Sequence, residues 1–349
     1  MKSFFKALSL AGTMLLFTTP SFAEDALTQD IQNKVRSDKK RNVINLSVEN
    51  DLFGGGTDRY YTSGVRLSWL NTDIETPQIL KSVSDRTPFF ERNETSVAVY
   101  SIGHNLYTPE DITIEANQDN DRPWAAWLYA SAGITTLQGN HVDEFEATIG
   151  VVGPEALGKP IQRFVHSTFT GDDPRGWKNQ LDFEPGIIIS AQRRWPGALK
   201  TKIDAKISDY ALRMTPHINF SLGNIYTYAG SGFTIAFSPF KDRFQDTPPR
   251  VRPAMPGTGY FAEPSHSFTW QLFAGAEGRA MARNIFLDGN TFSDSHSVDK
   301  KYFVADLNAG AAVTWRDYRV SYTVNYRTEE FRGQSEPSIF GSLNLSTRF

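Results

Sequence analysis

Two short runs carry the side chains best suited to chemistry: Val48-Glu49-Asn50-Asp51 and, nine residues after Asp51, Tyr60-Tyr61-Thr62-Ser63-Gly64. They set an amide (Asn50), a carboxylate (Asp51) and a hydroxyl (Thr62) on two strand-like segments joined by a short glycine-rich turn. Groups of these kinds can bind a hard cation and stabilise a developing oxyanion. A further pair, Gln162 and His166, is four residues apart, the spacing of neighbours on one helix face. A neutral imidazole can take a proton from water at physiological pH. His104, His141, His217, His266 and His296 have no comparable company in the sequence. Gly54-Gly55-Gly56 reads as a tight turn rather than a phosphate cradle, because no P-loop lysine follows it.

The elements that must position these groups begin with an export signal. Lys2 and Lys6 precede an apolar stretch from Ala7 to Phe17, and Ser21-Phe22-Ala23 supplies small residues for cleavage. Residues 1–23 are therefore set aside as a signal peptide, and 24–41 read as a polar periplasmic lead. Loss of the two lysines takes the net charge from -3 to about -5, a mild acidity with no nucleic-acid signature. Past the signal no apolar run reaches the eighteen or so residues of a spanning helix. There is no cysteine, as suits an exported chain large enough to do without disulfides.

Twenty-five Phe, thirteen Tyr and seven Trp accompany a negative mean hydropathy, and they fall one residue in two. From Arg319 to Arg327 every even-numbered position is apolar or aromatic and every odd-numbered one polar. In the last segment Leu343, Leu345 and Phe349 face one way; Ser342, Asn344, Ser346 and Arg348 face the other. Period two of this quality is a β-strand with one apolar and one polar face. A soluble sandwich also alternates. The export signal, the aromatic strand ends and the terminal Phe349 select a membrane barrel with its apolar face outward and a polar lumen.

Alternating segments are expected near 42–53, 60–71, 94–107, 123–137, 140–152, 183–195, 206–221, 225–238, 266–282, 300–315, 317–328 and 337–349. The fold class is thus an all-β, twelve-stranded antiparallel transmembrane barrel occupying 42–349. With both termini periplasmic, the extracellular connections are 54–59, 108–122, 153–182, 222–224, 283–299 and 329–336. The connections at 72–93 and 239–265 fall on the periplasmic side, where such barrels make short turns, and nothing in the sequence explains their length.

Segment 153–182 departs from a passive loop. Pro154 with Glu155 reads as a helix start, Leu157, Ile161, Phe164 and Val165 recur at helical spacing, and Gly171 and Pro174 stop the run. Such a helix must bury its apolar face against the barrel rim or in the lipid headgroup layer. Its Gln162 and His166 then stand at the same extracellular rim as Asn50, Asp51 and Thr62. Strict alternation sets Asn50 outward, with Leu46 and Val48, and Asp51 inward, with Asn45 and Ser47. Both can serve one site only if the strand twists or bulges at the rim. Arg59, Arg122, Lys159, Arg163 and Arg175 lie in or beside extracellular loops, within reach of phosphates.

Val48 to Asp51 and Asp58 to Gly64, with Gly150-Val151-Val152-Gly153-Pro154, Gln162, His166 and Gly176-Trp177-Lys178-Asn179-Gln180, resemble the signatures of the calcium-dependent lipid A 3′-O-deacylases of the Gram-negative outer membrane. The similarity continues at lower density over most of the mature chain. It implies a twelve-stranded outer-membrane barrel, in agreement with the strand count. It also implies His166 as general base, with Asn50, Thr62 and Gln162 completing the catalytic set. Asp51 and Asp172 are the implied ligands of Ca²⁺, Asp172 being the best match to an acidic residue that the family carries after the histidine. That residue is Asp here rather than Glu, with Asp173 the alternative, and the first run continues Leu52-Phe53 rather than with a second acid.

The activity expected from this resemblance is that of a carboxylic ester hydrolase. It would release the 3′-linked acyl(oxyacyl) ester of lipid A, or of lipopolysaccharide, in the outer leaflet. A calcium ion held by Asp51 and neutral oxygens would supply Lewis-acid charge to the oxyanion. Two rivals stand beside it. One is a serine-type outer-membrane phospholipase using Ser63 or Ser167 with His166. The other is a small pore or structural barrel without activity.

Overall fold

The computed structural model describes residues 42–54, 60–71, 77–86, 90–93, 95–169, 173–204, 209–239, 245–251, 258–261 and 267–349. The expected signal peptide, the polar lead, Arg59, Asp172 and His266 lie outside them. The first six strands are β1 (Val43–Asn50), β2 (Tyr60–Asn71), β3 (Val97–Thr108), β4 (Ala125–Gln138), β5 (His141–Val152) and β6 (Glu184–Arg194). Then follow β7 (Leu199–Asp204), β8 (Asp209–Gly223), β9 (Tyr226–Pro239), β10 (Phe268–Asn284), β11 (Phe303–Trp315), β12 (Tyr318–Arg327) and β13 (Ser338–Arg348). Every neighbouring pair is antiparallel, β1 joins β13, and pairing of β6 with β8 closes the sheet.

The closed wall has twelve strands, each at an expected position. The additional short strand β7 was not expected. It prolongs β6 along the same edge of β8: Ile188 to Arg194 pair with Gly223 to His217, and Leu199 to Asp204 with Met214 to Asp209. Val43 pairs with Arg348, so both ends of the wall lie on one side. The tight connections 139–140 and 316–317 lie on that side too, as periplasmic turns do.

Burial follows the alternation with the faces reversed from a soluble protein. Along β12, Arg319, Ser321, Thr323, Asn325 and Arg327 are buried, while Tyr318, Val320, Tyr322, Val324 and Tyr326 are exposed. The apolar row meets lipid and the polar row fills the lumen. Charges held away from water need close partners, and the lumen supplies them. Arg66 donates to Glu146 at 2.6 Å, Arg279 and Arg327 to Asp306 at 2.7 and 2.9 Å, and His217 lies 2.9 Å from Glu277.

The long connection after β9 turns back into this lumen. A bridge between Gln245 and Phe261 closes the hairpin at its base. Arg194 pairs with Asp246, whose carbonyl accepts from Arg319 at 2.6 Å. Further along, Asn45 donates to the Thr258 carbonyl, Ser47 to that of Pro249, and the Val251 amide donates to Glu49 at 3.2 Å. The segment is therefore a plug hydrogen-bonded to the polar row of β1. That explains a length that a periplasmic turn could not.

The other long connection touches the outer wall at Phe90. It contains helix α1 (Gln78–Ser84), and Phe90 packs on Ile134, Phe145 and Ala191 of the outward rows of β4, β5 and β6.

Candidate active site

The extracellular ends of five adjacent strands form one row on the outer wall. Gly341 pairs with Asn50, Asn50 with Ser63, Ser63 with Leu106, and Leu106 with Ala126. At about 4.8 Å per strand, three steps from Asn50 to Ala126 span roughly 14 Å.

The two runs singled out in the sequence make the left part of this row. β1 ends at Asn50, whose Oδ1 accepts the Leu52 amide at 2.8 Å and caps a single 3₁₀ turn, Asp51–Phe53. That turn lies on the outer wall. A Cβ on Gly341 would fall 2.6 Å from the Phe53 Cβ, and the Tyr322 hydroxyl donates to the Phe53 carbonyl. Asn50 is outward as alternation requires. Asp51 leaves the strand and begins the turn, and its side chain is buried. With Oδ1 committed to the cap, Asn50 presents Nδ2 as a donor.

On β2 the register slips between Tyr61 and Ser63, so Thr62 is the extra residue of a β-bulge. Tyr60 before it has φ of 68°, a left-handed conformation rare for an aromatic residue. Tyr61 points to the lumen and donates to Glu49 at 3.0 Å; a Cβ on Gly64 would strike its hydroxyl. Val251 of the plug touches Gly64 and Glu49 here, on the lumen side of the same strands. Thr62 turns the other way, with Oγ1 2.7 Å from that of Thr108 at the outer end of β3. The twist or bulge expected of β1 at the rim is a break into a 3₁₀ turn, and β2 carries a bulge of its own at Thr62.

The loop after β5 roofs the right part of the row. It opens with a 3₁₀ turn, Pro154–Ala156, and continues as helix α2 (Gly158–Phe169), close to the expected bounds. A second 3₁₀ turn, Gly176–Asn179, follows. The floor is apolar: Leu106, Ile112, Trp124, Ala126, Ala156 and Trp177 pack together, with Trp124 and Trp177 edge to face at 5.1 Å. Gly158 and Gly176 are small because ring atoms of Trp177 and Trp124 stand where a Cβ would be. His104 donates through Nε2 to the Ala156 carbonyl at 2.7 Å. It therefore has company that spacing did not disclose: it ties the loop to the wall.

The buried face of α2 is its polar one. Gln162 is 1% and His166 4% exposed, whereas Leu157, Ile161 and Phe164 are 50%, 37% and 71% exposed. Of the two burials anticipated for the apolar residues, packing against the rim does not occur for Leu157, Ile161 and Phe164, and Val165 is half-buried. Trp177 donates its indole N–H to Gln162 Oε1 at 2.7 Å. The Gln162 Nε2 is buried with no hydrogen-bond partner among the described residues. Ser167 is exposed and its hydroxyl donates to the Phe164 carbonyl at 2.9 Å, turned back along its own helix.

The row brings Asn50, Ser63 and Thr62 to one stretch of wall and sets the roof carrying Gln162 and His166 over its other end. Among the described residues no three His, Cys, Asp or Glu side chains gather as a metal cluster. The donors at the rim still suit a hard cation in kind: one buried carboxylate, Asp51, with hydroxyl and amide oxygens nearby. Asp173 is exposed and stands between Arg163 and Arg175 at 3.7 and 3.6 Å. Arg122 is no phosphate contact: it is fully buried, pairs with Glu330 and lies over the Tyr107 ring. Sequence reasoning gave no role to Trp177, Trp124, Thr108 or His104. Gly158 and Gly176 were the available signal, since a glycine lets a ring approach the backbone, here Trp177 and Trp124.

A family model described as outer membrane protein LpxR matches residues 9–349. Among solved structures, LpxR from Salmonella typhimurium is 20% identical and aligns over 88% of this chain and 100% of that one, with a TM-score of 0.70. The β domain of the Bordetella autotransporter BrkA, at 8% identity over 88% of this chain and 98% of its own, reaches a TM-score of 0.39. The translocator domain of the autotransporter NalP from Neisseria meningitidis is 7% identical over 92% of this chain and 93% of that one, with a TM-score of 0.33. No curated protein sequence matches.

Proposed function

The chain belongs to the outer membrane protein LpxR family, and on that premise we propose that it is a lipid A 3′-O-deacylase, hydrolysing the 3′-linked acyl(oxyacyl) ester in the outer leaflet. The observation that carries this reading is the inverted helix α2. A histidine and a glutamine are buried under the loop at the extracellular rim, with Gln162 tied to Trp177, which packs on the outward residues Leu106 and Ala126. A lumenal enzyme would turn these groups inward, and the lumen is occupied by the plug.

In the proposed reaction neutral His166 takes a proton from water, and the hydroxide attacks the ester carbonyl. The carbonyl oxygen becomes an oxyanion, for which Asn50 Nδ2 and Gln162 Nε2 are the available donors. The histidine then returns the proton to the departing sugar oxygen, releasing fatty acid and alcohol. Thr62, held by Thr108, positions water or substrate. Asp51 would hold Ca²⁺ with neutral oxygens, and Asp172, outside the described residues, is the second proposed ligand. When bound, the ion supplies Lewis-acid charge to the oxyanion.

The test is lipid A mass analysis in cells expressing the wild type or His166→Asn, and with purified protein with and without a strong chelator. Loss of the 3′ acyl group is expected for the wild type alone. Deacylation that persists in His166→Asn would remove the proposed base; activity indifferent to chelation would remove the ion.

A further inference from the structure

Helix α2 has three flanks at about 100° per residue. Gly158, Gln162, Val165 and His166 lie toward the wall. Lys159 and Arg163 form an exposed cationic flank and Ile161 and Phe164 an exposed apolar one, with Leu157 exposed just before the first turn. The apolar and cationic flanks stand roughly 150° apart around the axis, counted at that angle per residue. A loop helix bathed in water would gain nothing from keeping Phe164 exposed, and such patches mark a contact surface.

The apolar flank lies near a surface already assigned to lipid. Gly153, at the start of the loop, packs on the Phe183 backbone. Phe183 is exposed beside the outward pair Ile149 and Ile187 of β5 and β6, also exposed. The exposed Asp182 and Glu155 stand between that wall surface and the helix, while along the helix itself the cationic residues keep to the far flank. That is the partition of a helix lying in a membrane interface.

We propose that α2 lies in the outer leaflet, its Leu157, Ile161 and Phe164 flank among the acyl chains and its Lys159 and Arg163 flank among anionic phosphate headgroups. The wall-facing Gln162 and His166 are thereby held at the depth where a lipid's ester linkages meet its chains. That consequence rests on the proposed hydrolysis, but the placement does not.

Because the chain has no cysteine, single cysteines can carry spin labels without background. Phe164→Cys, Ile161→Cys and Lys159→Cys would be labelled in the folded protein, in phosphatidylethanolamine–phosphatidylglycerol vesicles. Ile149→Cys on the wall serves as the embedded reference and Arg332→Cys, an exposed loop residue, as the aqueous one. Collision with oxygen reports the hydrocarbon; collision with a water-soluble nickel chelate reports solvent.

Labels at 164 and 161 are expected to match Ile149→Cys, with oxygen favoured several-fold over nickel, and the label at 159 to match Arg332→Cys. Nickel accessibility at 164 and 161 equal to Arg332→Cys would overturn the proposal. So would shielding from both reagents, which would indicate a protein covering the flank, or embedding of the label at 159. Since no turnover is measured, an inactive protein would count against the deacylase reading and leave this result intact.

Discussion

Replacing Trp177 by Phe tests how the site orients its amide. An indole N–H can only donate, so the Gln162 atom it meets at 2.7 Å must be Oε1, and Nε2 is directed elsewhere. Phenylalanine retains a ring against Trp124 and deletes the donor. Gln162 is almost fully buried, and an acceptor stripped of its partner in such a place costs about 1–3 kcal/mol. The amide can relieve that cost by flipping, which brings Oε1 to the position where a donor was needed. If transition-state stabilisation falls by about 1.4–2.8 kcal/mol, kcat drops roughly 10- to 100-fold. KM should change little, because the oxyanion exists only after attack. The assay is initial-rate kinetics on lipid A in mixed micelles, with urea unfolding to confirm that the barrel is intact. Trp177→Phe should add nothing in a Gln162→Ala background. Independent, multiplying effects of the two substitutions, or an unchanged kcat in Trp177→Phe, would refute the positioning argument.

Three other outcomes are expected. The wild type should give no steady conductance in planar bilayers, whereas deletion of 245–261 should open the lumen; steady wild-type current would contradict a plug hydrogen-bonded to β1. Glu330→Gln should destabilise the barrel by about 3–5 kcal/mol in urea unfolding, since it strands the fully buried Arg122 guanidinium; an unchanged midpoint would mean that Arg122 finds another partner. Ser167→Ala should retain full deacylation and sulfonyl fluorides should not inhibit, because its hydroxyl is engaged along its own helix; loss of activity would revive the serine mechanism.

Much of the wall was legible because a pleated strand ties parity to face. Arg319 to Arg327 could be assigned to lumen and lipid from a string of letters, and all twelve wall strands followed from repeating that step. The plug was not legible. Residues 245–261 have no period, and their partners Asn45, Glu49, Arg194 and Arg319 come from three strands remote in sequence, β1, β6 and β12. The Tyr61-Thr62-Ser63-Gly64 run was recognisable as important, but its bulge was not: a register slip is a relation to β3, not a property of β2 alone.

The sequence by itself determined that segment 153–182 contains an amphipathic helix bearing Gln162 and His166 on one face, since local spacing settles what neighbours what along a helix. Which medium each face meets was decided only by the tertiary structure. In water the apolar flank would have turned inward. Here Trp124, Trp177 and Ala126 give the roof an apolar floor around Gly158, and the Trp177 indole satisfies Gln162. Burying the polar face thus costs little, and Leu157, Ile161 and Phe164 are left facing outward. The same holds for Asn50 and Thr62: their chemistry is written in the letters, and their meeting on one outer wall depends on strand register across β13, β1, β2, β3 and β4.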